Sequence, residues 1–218
     1  MKPSRLLPHL SKWPVLILST GMMVLATSTL SLAQTWSNTN ATYPPVETQN
    51  WTTGTNWSTG AEPATASTPT INGQGYALIN STANTVASFG VLGVGNVNRG
   101  LYIANGGTLI TTGTFRLNNT HGNTTVEVAS GGALSIGSTL HMNGGGGTPA
   151  FGRLTTAGET TVNGQARVET QTQLYITGGN FTSNQVGNTA LFVGLAGSTN
   201  PNQGLVVQTG GNFTTTSV

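Results

Sequence analysis

The sequence contains no cysteine and no aspartate, and few of its residues are charged. Without cysteine the chain can form neither a disulfide framework nor a thiolate metal site. Only 6% of the residues are charged, against about 25% in ordinary soluble domains. Disordered chains usually combine low hydrophobicity with high net charge, whereas 36% of this chain is hydrophobic and its apolar residues are regularly spaced. The composition therefore favours an ordered β structure.

Positive charge is also scarce once the first residues are set aside. Lys2, Arg5 and Lys12 all lie near the N-terminus. Beyond residue 33 there are four arginines and five glutamates, a formal net charge of 4 − 5 = −1. Because such a chain has no cationic surface to neutralise a phosphate backbone, we expect no nucleic-acid partner.

Residues 1–33 have the pattern of a secretory signal peptide. The basic residues precede a long apolar run that ends in Ser31, Leu32 and Ala33, and small residues at the −3 and −1 positions are typical of a cleavage site. We predict cleavage after Ala33 and export of the mature chain. A retained membrane anchor is the alternative, because the run approaches the ~20 residues that span a bilayer.

A short apolar alternation followed by a glycine turn recurs along the second half of the chain. The first example is Leu101-x-Ile103 followed by Gly106-Gly107. The second positions of the five turns are residues 107, 132, 158, 179 and 211, so the steps are 25, 26, 21 and 32 residues. Self-similarity at a loose period in the twenties indicates a solenoid, in which successive turns of the chain stack on one another.

From Ile71 onward the sequence predicts strands and turns without helices, since two-residue alternation recurs and no 3.6-residue apolar period is present. The residues expected to point inward are Leu101, Ile103, Val126, Val128, Leu134, Ile136, Leu174, Ile176, Leu205 and Val207. Glycine and asparagine suit corners that need positive φ. We predict an all-β, right-handed parallel β-helix over residues 71–218. An antiparallel β-sandwich, which uses similar short strands, is the alternative.

Residues 34–70 differ in composition and contain Trp36, Trp51, Trp57 and four prolines. Because the end of a solenoid leaves apolar and backbone groups open, we predict that this segment is an N-terminal cap. The alternative is that Trp51 and Trp57 stack on glycans, as amphipathic aromatic rings can. The last repeat stops before any polar cap, so we expect the sequence to be the N-terminal part of a longer protein.

Candidate catalytic residues are few. Glycoside hydrolysis normally needs a pair of carboxylates, and the repeats contain only Glu127, Glu159 and Glu169. Glu127 and Glu169 are expected to face outward into solvent, and Glu159 to lie in a turn. His121 and His141 are expected at the surface without a partner for proton transfer or metal ligation. We therefore predict no catalytic, cofactor-binding or metal-binding residue.

Three segments resemble large exported bacterial β-helix proteins. They are NWSTGAEP at 56–63, LGVG…GLYIANGGTLITTG at 92–113 and LFVG…GLVVQTGGNFTTT at 191–216. The chain is similar there to autotransporter passenger domains with associated β-strand repeats, and to surface proteins with PEP-CTERM-type sorting tails. The resemblance implies an extracellular protein of a Gram-negative-type bacterium, with an adhesive or structural role.

These observations lead to the expectation of a non-enzymatic surface or secreted repeat protein. Its ladders of threonine and asparagine would contact extracellular polysaccharide or other cells through many weak contacts that add by avidity. A membrane would be involved only through the signal peptide or an anchor beyond Val218. The alternatives are a spacer, or the scaffold part of a polysaccharide-degrading enzyme whose catalytic turns follow Val218.

Overall fold

The computed structural model describes residues 33–83, 85–93, 97–119, 123–144, 152–185, 189–194 and 204–216. Ser31–Val218 forms one compact unit. The predicted signal peptide, apart from Ala33, lies outside the described residues, and so does His121. Within the described ranges, no helix has the length and apolar character that crossing a membrane requires.

The described residues form two short 3-10 helices, Glu47–Gln49 and Gly54–Asn56, and strands β1 to β17 in three sheets. The first sheet contains β1 (Thr70–Ile71), β3 (Phe89–Gly93), β6 (Phe115–Asn119), β9 (Leu140–Gly144), β12 (Ala166–Val168) and β15 (Leu191–Val193). The second contains β2 (Gly75–Ile79), β4 (Arg99–Ile103), β7 (Thr124–Val128), β10 (Gly152–Thr156), β13 (Thr172–Ile176) and β16 (Leu205–Gln208). The third contains β5 (Thr108–Thr111), β8 (Ala133–Ile136), β11 (Glu159–Val162), β14 (Asn180–Ser183) and β17 (Asn212–Thr215).

Each strand pairs with the strand of the next turn, and every strand pair among the described residues is parallel. One turn of the chain, with one strand in each sheet, is called a rung below. An antiparallel sandwich joins neighbouring strands by hairpins, so parallel stacking excludes that alternative. The predicted β-solenoid is confirmed, and its right-handedness stays a prediction.

The core is a set of apolar columns that run from rung to rung. Leu101 pairs with Val126, Val126 with Leu154, and Leu154 with Leu174, and all four side chains are fully buried. Alternation sends these residues inward, and parallel pairing in register places each beside its counterpart in the next rung. Burying one such side chain contributes about 1.5–3 kcal/mol, so the repeated columns provide the main stabilisation.

The last rung corrects one sequence prediction. Leu205 and Val207 were expected inward, but β16 pairs Val206 with the buried Leu174. Leu205 is therefore 43% exposed and Val207 lies on the outer face. Three consecutive apolar residues fit either alternation, and a one-residue shift moves every side chain to the opposite face.

Glycine pairs turn the chain between the second and third sheets for two separate reasons. Gly106 and Gly131 each have φ of +79°, a conformation that side chains with a Cβ rarely adopt. The following glycines, Gly107 and Gly132, lie against the previous rung, where an added Cβ would overlap the carbonyl oxygen of Ile79 or Ile103. Asparagine does not supply these corners: the non-glycine residues with positive φ among those described are Ala66 and Gln171.

The N-terminal segment packs its three tryptophans against the first rungs. Trp51 contacts both Trp57 and Phe89 edge-on, with ring centroids 4.6 and 5.3 Å away. Its backbone N–H donates to the carbonyl of Leu78 at 2.7 Å. Trp57 Nε1 donates to the carbonyl of Trp51 at 2.8 Å, and Trp36 packs edge-on against Trp57. The three tryptophans thus pack against the first rungs, and the role of residues 34–70 as a cap stays a prediction.

Candidate functional site

The outer face of the second sheet carries two columns of outward side chains. Rung-to-rung pairing defines the first column as Tyr76, Gly100, Thr125, Arg153, Gln173 and Leu205. The second column is Leu78, Tyr102, Glu127, Thr155, Tyr175 and Val207. Aromatic, charged and amide side chains are therefore collected on one face by the register alone.

A groove of about 610 Å³ lies on this face. It is lined by Tyr43, Tyr76, Asn98, Asn123, Thr125, Glu127, Arg153, Thr155, Gln173 and Tyr175. The N-terminal segment forms one end, since it crosses β2 and buries the outward side chains of that strand. We call this feature the tyrosine groove.

Two tyrosines, Tyr43 and Tyr76, line the end of the groove near the N-terminal segment, and Tyr102 packs against Tyr43. The ring of Tyr43 lies 4.9 Å from that of Tyr76 and 6.1 Å from that of Tyr102, the latter edge-on. Gly100 makes room for this cluster, because an added Cβ would lie 2.9 Å from the Tyr76 ring and would overlap the Thr125 carbonyl. Tyr43 stays 40% exposed, so its ring forms a wall of the groove.

Glu127 differs from the prediction of a solvated outward residue. It does face outward, but it is half-buried, and the Tyr43 hydroxyl donates a hydrogen bond to its carboxylate. Tyr43 is 84 residues away in sequence, so strand alternation gave no indication of this contact. The hydrogen bond fixes the position of both side chains at the groove wall.

The tyrosine hydroxyls are held in their protonated form. Burial raises the pKa of Tyr43 far above its ordinary value, and the hydrogen bond and negative charge of Glu127 raise it further. Burial also raises the pKa of Tyr76, and burial together with the Glu127 charge raises the pKa of Tyr102. These phenols therefore serve as hydrogen-bond donors at neutral pH and not as bases.

Arg153 and Tyr175 form the other end of the groove. The Arg153 guanidinium lies over the Tyr175 ring, 5.2 Å from its centroid, in a cation–π contact. Across the described residues, the ion pairs are His141–Glu169 and Arg167–Glu169, both outside the groove. Arg153 therefore brings a positive charge to the groove that no carboxylate of the described chain neutralises.

Glu169 and His141 correct two further predictions. Glu169 was expected to face solvent, but it is only 3% exposed and forms an ion pair with Arg167. His141 does face outward, yet it has a partner, since its Nε2 lies 3.3 Å from Glu169 Oε2. Both corrections arise because Glu169 follows β12 at a corner, where the alternation of the strand no longer applies.

The remaining sequence candidates lie apart from the groove. Glu159 begins β11 instead of lying in a turn, and its carboxylate accepts hydrogen bonds from Asn180 Nδ2 at 2.9 and 3.0 Å. Glu127, Glu159 and Glu169 belong to or follow strands of three different sheets. These three residues therefore do not form a carboxylate pair.

Trp51 and Trp57 are 0% and 2% exposed, respectively. Stacking on a glycan needs an accessible ring face, and in this packing neither ring has one. The tyrosines of the groove are the aromatic residues that the sequence reasoning missed. The signal was present: the tripeptide Leu-Tyr-Ile occurs at 101–103 and again at 174–176, which places both tyrosines outward at one repeat position.

No group of three or more histidine, cysteine or acidic side chains in the described part of the chain is arranged to hold a metal ion. The site is thus an open groove of aromatic, amide, hydroxyl and single charged groups. Comparison of the chain with protein-family models, with curated proteins and with solved structures found no match.

Proposed function

We propose that this protein is an exported, non-enzymatic surface or secreted protein that adheres to extracellular polysaccharide through the tyrosine groove. The observation that carries the proposal is the composition of that groove. Tyrosine rings offer apolar faces with polar tips, and amide, hydroxyl and charged groups beside them can fix the orientation of a ligand. Sugars present the matching surface, with apolar C–H faces and a rim of hydroxyls.

Binding without catalysis is supported by the state of the polar groups. A general base must be deprotonated when the substrate is bound, but burial and Glu127 keep the hydroxyls of Tyr43 and Tyr102 protonated. A glycosidase carboxylate pair requires two groups about 5–10 Å apart, and the repeat glutamates lie on different sheets. The groove has groups that hold a sugar, and among its described lining residues Glu127 is the single carboxylate.

Export is supported by the sequence of residues 1–33, in which a basic start, an apolar run and small terminal residues follow one another. The resemblance to autotransporter passengers and PEP-CTERM-type surface proteins adds a surface location to the proposal. In that setting a groove that crosses several rungs suits adhesion, because many weak contacts along one polysaccharide chain add through avidity.

A second candidate function is the scaffold part of a polysaccharide-degrading enzyme whose catalytic rungs follow Val218. One observation favours it: Glu127 shares a groove with tyrosines, and a carboxylate at a sugar site can also transfer a proton. On this hypothesis the tyrosine groove would hold an extension of the substrate chain.

The proposal is tested by measuring binding and product formation separately. We expect the migration of the exported chain to be slowed in gels that contain polysaccharide. The same chain should release neither reducing ends nor unsaturated sugars from the polysaccharide. Tyr175→Ala should weaken binding by about tenfold, since aromatic stacking contributes on the order of 1 kcal/mol or more. Phe192→Ala is the matched control, because that ring is also covered by an arginine, at 5.5 Å, but lies on the first sheet.

Two results would reject the proposal. Product release that disappears in Glu127→Gln would favour the enzyme hypothesis. The second result is a protein that is folded, as judged by the circular dichroism of a β protein, and that binds none of the polysaccharides tried. Adhesion to polysaccharide would then not be its function.

A further inference from the structure

The tyrosine groove has two aromatic ends separated by a polar floor. One end is the tyrosine cluster, in which Tyr102 packs against the groove-lining ring of Tyr43, and the other end is Tyr175. Tyr102 and Tyr175 occupy the same outward column and are three rungs apart, with Glu127 and Thr155 between them. Successive parallel strands are about 4.8 Å apart, so the two tyrosine positions are separated by about 14 Å. This separation suits a short stretch of a sugar chain that lies across the rungs, parallel to the stacking direction.

Two adjacent rungs of the groove carry opposite charges. In β7 Glu127 is negative and accepts a hydrogen bond from the Tyr43 hydroxyl. In β10, which pairs with β7, Arg153 is positive and exposed, and its guanidinium carbon lies 5.2 Å from the centroid of the Tyr175 ring. A guanidinium can pair with a carboxylate through two parallel hydrogen bonds.

A ligand that fits both charges must carry an anionic group near Arg153 and hydroxyl donors near Glu127. Like charges at short range raise the free energy, so in a chain with a carboxylate on each sugar the neighbouring unit must turn its hydroxyls, and not its carboxylate, toward Glu127. Neutral sugars would leave the Arg153 charge without a partner, whereas a uronic acid supplies a carboxylate directly on the sugar ring. The Tyr175 ring lies beside that position and can pack against the ring of the same sugar.

We propose that the tyrosine groove binds an acidic polysaccharide, with a uronate carboxylate paired to Arg153 and the sugar hydroxyls of a neighbouring unit hydrogen-bonded to Glu127. This inference rests on the proposed function and narrows it from polysaccharide in general to uronate-containing chains. Arg153 is then the residue that determines specificity, and Tyr175 positions both the guanidinium and the sugar.

Two probes with the same backbone isolate the contribution of charge. Polygalacturonate carries a carboxylate on each sugar, and fully methyl-esterified polygalacturonate lacks the negative charge. We expect the exported chain to bind the acid form about tenfold or more tightly than the ester, because hydrogen bonds to charged groups are the strong ones. The preference should decrease as salt is added, because the groove is open to solvent.

Arg153→Gln is the decisive variant. It should weaken binding of polygalacturonate by about tenfold, to the level of the ester, because the amide keeps hydrogen-bonding capacity without the charge. Its matched control is Arg116→Gln, which removes an exposed arginine from the first sheet and should leave binding unchanged. Both arginines are exposed, so both variants should keep the wild-type thermal unfolding temperature.

The outcomes separate this inference from the function on which it rests. If the acid and ester forms bind equally, or if Arg153→Gln binds like the wild type, the uronate inference is wrong and polysaccharide adhesion stands. If Arg116→Gln loses as much affinity as Arg153→Gln, the attraction is diffuse and the inference is again wrong. If the folded chain binds neither polymer nor any neutral polysaccharide, both proposals are rejected.

Discussion

The hydroxyl of Tyr43 ties the N-terminal segment to the repeats through a single hydrogen bond to Glu127. The ring of Tyr43 also packs on Tyr76 and Tyr102, which belong to β2 and β4. One side chain thus connects residues of the segment before the repeats with three successive rungs. Its protonation state should therefore influence the stability of the whole N-terminal end.

Stability should decrease at alkaline pH because of Tyr43. Its pKa in the folded protein is raised above the unfolded value of about 10, chiefly by burial and then by Glu127. A group whose pKa is raised on folding contributes stability that is complete below its unfolded pKa and is lost as the pH rises toward the folded pKa. The loss should therefore begin near pH 10, where the unfolded chain starts to release this proton and the folded chain does not.

Tyr43→Phe should reduce this dependence, since phenylalanine has no proton to lose. The measurement is the free energy of urea unfolding between about pH 8 and about pH 11, for the wild type and the variant. At neutral pH the variant should be less stable by about 0.5–1.5 kcal/mol because one hydrogen bond is missing. An alkaline slope as steep in Tyr43→Phe as in the wild type would assign the dependence to other groups.

Several contacts between residues distant in sequence could not have been predicted from local sequence. Arg99 begins β4 and is fully buried, and it donates hydrogen bonds to the backbone carbonyls of Asn72 and Leu92 at 2.7 Å each. Burial lowers the pKa of Arg99. Like the pair of Tyr43 and Glu127, these contacts join residues that only the folded path of the chain brings together.

At the scale of single strands, alternation was a reliable guide where it was unambiguous. Leu101 and Ile103 stand on either side of the outward Tyr102, and both are fully buried. In β16 the run Leu205-Val206-Val207 contains no polar residue to define the outer face. The register then came from pairing with β13, which is information that the strand itself does not contain.

β4 carries a gap in its outward column at Gly100, and the Tyr76 ring lies over that gap. Gly100→Ala should therefore displace either the ring or the strand and lower stability by about 1–3 kcal/mol, as overpacking typically does. The matched control is Gly73→Ala, since an added Cβ there has no heavy atom within 4 Å. Thermal and urea unfolding of the two variants provide the comparison.

The same Gly100 variant also tests whether the groove depends on the tyrosine cluster. If the Tyr76 ring is displaced, its contact with Tyr43 is disturbed, and polysaccharide binding should weaken together with stability. A Gly100→Ala protein as stable as Gly73→Ala would mean that the ring moves aside at no cost, contrary to the packing described.

At the scale of the whole molecule, the sequence predicted the architecture and missed the binding face. The fold is predicted from a period that recurs along the chain, so a wrong assignment at one residue does not change the predicted architecture. Among the described residues the tyrosine groove lies at one place, where the N-terminal segment meets the repeats, and the repeat period does not predict it. The recurrence of Leu-Tyr-Ile at 101–103 and 174–176 indicated one part of this face.

Burial also changes along the molecule. Core side chains in the middle rungs, such as Val126 and Leu154, are completely buried, whereas the inward Val193 in β15 is 46% exposed and the inward Val206 in β16 is only partly buried. In a stacked fold each rung is stabilised mainly by its neighbours. The described residues at this end therefore form the less protected part of the solenoid.

The parallel hydrogen-bond ladders give the molecule a mechanical property. Because each rung is hydrogen-bonded only to adjacent rungs, a pulling force on the two chain ends acts on one rung at a time. That rung then separates from its neighbour and unfolds. A repeat step of 25 residues extends to roughly 85 Å once unravelled. Single-molecule stretching should show successive releases of about this length, whereas one release of the entire unit would contradict the picture. An adhesin built in this way would lengthen stepwise under shear and dissipate work before its bound ligand is torn away.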